Sequence, residues 1–308
     1  GGVAGLGPTL LSLRNQSYPA DAIELNLPLR SARGLGPYPE LPAEDSEGVD
    51  LYRTEDWLAL TNVIPTVQRA RNQTGGTLVV VVDDDKVYPP SLVEDHVRAH
   101  RARPRSVSAC RGYKVPPGGD ISTAVFWPAW DELWHSTYGH RTSEVQRVAV
   151  VTGSDSWSVL AELLPDGLWR GLADGGPPAH GSTIRQAASL MNDIWVSGQL
   201  SRHGVQKFVV PCRREAKDAP RGEARDEQNL ERAAQKRTAL NMRVMQFFLR
   251  DWSSEEIMPR EEVERRVWDT PPRRFTAPQP VAEPGLFEVL DWFRDALVRG
   301  VRATFLGE

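Results

Sequence analysis

Thr77-Leu78-Val79-Val80-Val81-Val82-Asp83-Asp84-Asp85-Lys86-Val87-Tyr88-Pro89-Pro90 holds the clearest structural signal in the chain. Its first six residues are apolar or β-branched without alternation, the pattern of a strand buried on both faces of a largely parallel sheet. The run stops abruptly at three aspartates. Two prolines then precede a helical pattern from Ser91 to about Ala102, and proline suits a first helical turn. The unit is strand, acidic loop, helix.

The same alternation extends outward. Upstream, apolar Val63, Ile64, Val67 and Ala70 recur at helical spacing between Thr61 and Arg71, with Gly75-Gly76 ending the helix. Asp50 to Arg53 and Ala22 to Leu27 read as short strands, and Thr9 to Arg14 as a short helix. Downstream, strands are expected at Ser106–Cys110, Val148–Val151 and Lys207–Val210, with a helix from Ser189 to Arg202. Residues 112–147 read as loop-rich, with Trp127, Trp130 and Trp134 favoured as core, and Asp174 to Pro178 as a loop. Residues 213–228 are charged and read as loop, whereas Leu230 to Phe248 and the amphipathic Leu286 to Val298 read as helices. Strands alternating with helices over short connections predict an α/β fold with a mostly parallel central sheet flanked by helices. The expected organisation is a body over residues 1–215 and a helical C-terminal extension over 216–308 that packs on it.

With 308 residues, 40% hydrophobic and 25% charged, the chain can bury a sizeable core. Lys and Arg number 37 against 41 Asp and Glu, so no excess positive field is available for nucleic acid, which is not expected as a partner. No apolar run approaches the ~18 residues that would span a bilayer, so no transmembrane segment is expected. The opening Gly1 to Pro8 leads into a helical pattern with no strand before it, so the chain reads as a piece lacking its first strand. The two cysteines, Cys110 and Cys212, are too few for a disulfide framework and lack metal-knuckle spacing. They leave the compartment open between the cytoplasm and, with an upstream anchor, the Golgi lumen. The Asn15-Gln16-Ser17 and Asn72-Gln73-Thr74 sequons carry little weight. His135, His140, His180 and His203 lack paired zinc spacing, and neither a nucleophile elbow nor a Walker loop occurs.

Carboxylates at the end of a core strand lie where open α/β sheets place ligands. Asp83 and Asp85, at alternate positions, offer hard oxygen ligands to Mg²⁺ or Mn²⁺, which binds through one or two carboxylates plus substrate phosphates. The plainer alternative is a polar turn. Three adjacent like charges weigh against it, since their repulsion calls for a cation or several donors.

These residues resemble the GT-A family of nucleotide-sugar-dependent glycosyltransferases. The resemblance rests on Val79 to Pro90, Asn192-Asp193-Ile194-Trp195-Val196-Ser197 and Phe208-Val209-Val210-Pro211, and covers roughly residues 8–250. It implies a metal-dependent, inverting transfer of a sugar from a nucleotide-diphosphate donor, a UDP-sugar by preference, to a glycan or other hydroxyl acceptor. By the same resemblance Asp85 is the chief ligand of Mn²⁺ or Mg²⁺, Asp83 touches the metal or the ribose, and Asp84 supports the donor. Asp193 matches the acceptor-side catalytic base, and Trp195 would offer a wall to a sugar ring. A helix-capping role is the alternative for Asp193. Asp56 and Thr61 match a donor-side motif in which Leu58, Ala59 and Asn62 replace Gly, Pro and Lys; local helix capping explains the pair equally well. Gly153-Ser154-Asp155 lies where relatives carry an acceptor loop. Two rival readings are a non-catalytic GT-A-like binding module and a metal-dependent nucleotidyltransferase.

Overall fold

A computed structural model describes residues 5–30, 37–38, 40–73, 76–119, 136–169, 191–219 and 240–263. Within them the helices include α1 (Gly7–Arg14), α2 (Ala43–Ser46), α3 (Ile64–Ala70), α4 (Leu92–Ala102) and α5 (Asn192–Arg202), and residues 240–247 are also helical. The strands are β1 (Glu24–Pro28), β2 (Asp50–Thr54), β3 (Leu78–Val81), β4 (Lys86–Val87), β5 (Ser106–Ala109) and β6 (Arg111–Tyr113), then β7 (Thr137–Tyr138), β8 (Gln146–Arg147), β9 (Val150–Val151), β10 (Trp157–Leu160), β11 (Gln206–Val209) and β12 (Lys217–Asp218). Trp127, Trp130, Trp134, His135, Thr74 of the second sequon, Gly75, the Asp174–Pro178 loop, His180, residues 220–239 and the Leu286–Val298 segment lie outside the described residues.

The chain is a mixed α/β protein. Its largest sheet runs β3-β10-β5-β11-β8, and only the β5–β11 pairing is parallel. The expectation of a mostly parallel sheet is therefore corrected. The physical reason is β10, which enters antiparallel between β3 and β5 with Trp157 opposite both Val81 and Ala109. At four residues it is too short to give a periodic signal. β3 itself is the outermost described strand on its side, with Val79 and Val81 buried and Leu78 and Val80 half-buried. An unbroken apolar run thus marks the strand without proving two buried faces.

α4 closes one side of the sheet. It buries Leu92, Val93 and Ala99 and carries Glu94 and Asp95 in its first turn against His100 and Arg101 in its last, charges that suit the helix dipole. α5 lies on the main core through Ile194, Trp195, Val196 and Leu200, which pack with Leu240, Val244, Met245, Phe248 and Trp252 from the C-terminal segment. Gly198 is bare because the Phe248 ring occupies the space its Cβ would take. Buried Lys207 of β11 pairs with buried Glu256 at 2.6 Å, tying that segment to the sheet. Trp195 is a core residue rather than a sugar wall: its Nε1 donates to the Leu168 carbonyl at 3.0 Å and its ring stacks on Phe247.

The cysteines are also corrected. Cys110 and Cys212 form a disulfide across 102 residues of sequence, with Cα atoms 5.8 Å apart. Gly139 wedges beside it, donating its N–H to the Cys110 carbonyl at 2.7 Å and accepting from Cys212 N–H at 3.1 Å. Any side chain at Gly139 would press on the Cys212 sulfur.

Candidate functional site

β3 delivers the acidic loop to a place where several of its backbone groups are engaged. Asp83 N–H donates to Tyr88 Oη at 2.8 Å, and the same hydroxyl lies 3.4 Å from the Asp83 carbonyl. Burial, followed by the Asp83 charge, raises the Tyr88 pKa well above 10, so this phenol stays protonated. α1 grips the loop from outside. Thr9 Oγ1 donates to the Asp84 carbonyl at 3.1 Å, Ser12 Oγ accepts from Tyr88 N–H at 3.0 Å, and Gln16 Nε2 donates to the Pro89 carbonyl at 3.0 Å. From the other side Ala219 N–H donates to the Asp85 carbonyl at 2.9 Å, and β12 pairs with β4. With the main chain held, Asp83 and Asp85 are half-buried and Asp84 is exposed.

Facing this loop is the turn Gly153–Asp155 and its successor Ser156. Ser156 has φ 85° and ψ 153°, a region open essentially to glycine, at a strain of about 1–3 kcal/mol. Neighbours enforce it. Its N–H donates to the Gly153 carbonyl and its carbonyl accepts from Cys110 N–H, each at 3.0 Å. Its Oγ lies 2.7 Å from His96 Nε2. Burial pushes the His96 pKa down to about 4, so the imidazole is neutral, and its Nδ1 has no hydrogen-bond partner among the described residues.

The strained turn brings distant carboxylates together. Gly153 N–H donates to Asp193 Oδ1 at 3.2 Å. A Cβ on Gly153 would lie 2.7 Å from Asp83 Oδ1, so the missing side chain gives the Asp83 carboxylate its room. Asp193 stands in the first turn of α5, where the helix dipole favours its negative charge. Asp83 and Asp193 thus meet at one glycine.

A third carboxylate, Asp155, is 8% exposed. Burial raises its pKa; the Arg111 and Lys86 charges work in the opposite direction. Arg111 Nη1 is 3.8 Å from Asp155 Oδ2 and 3.3 Å from Ser154 Oγ, and its guanidinium lies 4.8 Å from the Tyr138 ring centre. Sequence reading named the Gly153-Ser154-Asp155 loop but missed Arg111, Tyr88, His96 and Ser156. No short motif links these residues. A serine at a glycine-only backbone angle, the feature that distinguishes the turn, has no signature in composition.

Asp56 and Thr61 are used locally. Asp56 Oδ1 accepts from Leu58 N–H at 2.7 Å, and Thr61 Oγ1 accepts from Trp57 N–H at 2.9 Å, closing the 3₁₀ turn Leu58–Asn62. A cleft of about 420 Å³ opens beside them, lined by Thr54, Glu55, Trp57, Gln68, Arg69 and Asn72.

Among the described residues no three His, Cys, Asp or Glu side chains form a metal-binding group. The half-buried Asp83 and Asp85 still match the one or two carboxylates that suffice for a cation held mainly through phosphate oxygens. No described helix is long and apolar enough to cross a membrane. No protein-family model matches the chain, and no curated protein matches it.

Proposed function

We propose that this protein is a metal-dependent, inverting glycosyltransferase of GT-A type, moving a sugar from a nucleotide-diphosphate donor, a UDP-sugar by preference, to a hydroxyl of a glycan or other acceptor. The observation that carries the reading is the convergence of Asp83, at the end of a core strand, and Asp193, at the start of α5, on Gly153. The chemistry needs one acidic group at the diphosphate and one at the acceptor, close together but held by separate elements.

Asp85 and Asp83 would hold Mn²⁺ or Mg²⁺, which when bound neutralises charge on the departing diphosphate. Asp84, exposed beside them, faces the donor. Asp193 is oriented by the Gly153 amide and takes the acceptor hydroxyl's proton as the oxygen attacks the anomeric carbon opposite the diphosphate. The bond to the diphosphate breaks as the new glycosidic bond forms, and the configuration inverts. Tyr88 stays protonated beneath the Asp83 backbone and fixes the carboxylate's base. Asp56 and Thr61 brace the turn beside the neighbouring cleft, and the donor-side role that the resemblance implies for them belongs to the same proposal.

The test is a screen of nucleotide sugars for nucleoside-diphosphate release, with Mn²⁺ or with EDTA. One donor should be consumed only with metal. Asp193→Ala should slow release by about 10²-fold or more, and Asp85→Ala should abolish the metal-dependent release. If no donor is consumed under any metal condition, the proposal is wrong.

A further inference from the structure

The acid-rich site has a cationic flank. β6 and β7 pair Arg111 with Tyr138, and both Arg111 and Arg141 place their guanidinium groups against the Tyr138 ring, at 4.8 and 4.6 Å from its centre. His140 meets the same ring edge-on at 5.5 Å. The flank adjoins the site through Arg111, which reaches Ser154 and Asp155, while His140 Nε2 lies 3.6 Å from Glu215 Oε2 at its outer side. The disulfide makes the arrangement rigid: Arg111 follows Cys110, and His140 follows Gly139, which is hydrogen-bonded to both half-cystines.

Arg141 is the unusual member. Arg53, Arg69, Arg71, Arg147 and Arg202 each reach a carboxylate. Arg141 pairs with none among the described residues, although it is exposed and held in place. Its Nε donates to His140 Nε2 at 3.1 Å, and its guanidinium lies over the Tyr138 ring. The rest of a guanidinium fork fixed in this way is preorganised for a planar or tetrahedral oxyanion. An anion arriving beside Asp83, Asp155 and Asp193 would be repelled without such a cation, whereas a neutral sugar would not need one. In the proposed reaction the donor diphosphate is served by the metal at Asp83 and Asp85. The flank belongs to the Gly153 loop, the acceptor side of the proposed reaction.

We infer that the acceptor carries an anionic group, a carboxylate or a phosphate, which the Arg141 guanidinium receives beside Tyr138. The inference rests on the transferase reading for the word acceptor, but the anion site can be measured by itself. The full chain is titrated calorimetrically with glucuronate, glucose 6-phosphate and glucose, without donor or metal. At least one charged sugar should bind about tenfold more tightly than glucose, and which of the two does so identifies the anion. Arg141→Gln should erase that preference; Arg141→Lys, a point charge without the fork, should keep part of it. Near-ultraviolet circular dichroism checks that both variants are folded. Equal affinity for all three sugars, no binding of any, or a preference that survives in folded Arg141→Gln overturns the inference. Anion preference without consumption of any donor would support the anion site and count against the transferase. Donor consumption without anion preference would overturn this inference alone.

Discussion

His96 and Ser156 show how one residue's discomfort is sustained by another. The serine occupies a backbone region that disfavours any side chain, and its hydroxyl is tied to a fully buried, neutral imidazole. The folded pKa of about 4 lies below the ordinary 6.5, so on acidification the unfolded chain takes the proton first. The stability due to neutral His96 is therefore complete above about pH 6.5 and is lost as the pH falls toward 4, amounting to roughly 3 kcal/mol. The Asp95 charge acts against that depression, and Arg98 and Arg213 pair with Asp95. Asp155, with its pKa raised by burial, has the opposite sign: its contribution is present at low pH and is lost as the pH rises through its folded value. Urea midpoints measured between about pH 7 and pH 4.5 should fall steeply for the wild type and less steeply for His96→Gln. Parallel curves would show that His96 does not set the acid limit.

At the scale of elements, the disulfide joins pieces that all serve the site. Cys110 ends the run from β5 into Arg111, and Cys212 precedes β12, which pairs with β4 of the acidic loop. Bridges of this kind persist in oxidising compartments. A closed loop of 102 residues implies about 5 kcal/mol of stabilisation in the chain-entropy view. Reduction with dithiothreitol should lower the unfolding free energy by about 2–4 kcal/mol and weaken nucleotide binding, because β12 is freed from one anchor. An unchanged denaturation midpoint after reduction would contradict this role. The sequence could not announce the bridge, since two cysteines so far apart say nothing about proximity until the fold is known. β12 was equally hidden, because Lys217-Asp218 pairs through its backbone within a charged stretch. α4 was legible, since Leu92, Val93 and Ala99 recur on one face between proline and a basic end. β10 was not, and its insertion changed the sheet from mostly parallel to mixed.

Over the whole molecule, the candidate site lies where elements far apart in the chain meet: β3, the β9–β10 turn and the start of α5. The core strand ending in aspartates and the later Asn192-Asp193 helix could be read as separate features, and resemblance alone placed them in one site. Their meeting at Gly153 depends on the turn being held by Ser156, His96 and Cys110, which no local pattern encodes. Asp56 and Thr61 agree in residue type with a donor segment and also brace their own turn, so the local bonds alone do not decide between the two roles. The most direct measurement is calorimetric titration of UDP, with and without Mn²⁺, into the wild type and Gly153→Ala. The added methyl would crowd Asp83 at 2.7 Å. The wild type should bind UDP only with metal, and folded Gly153→Ala should bind it at least about tenfold more weakly, since small misplacements of site groups are costly. Absence of metal-dependent UDP binding in the wild type, or equal binding by the two proteins, would contradict a donor site built on this turn.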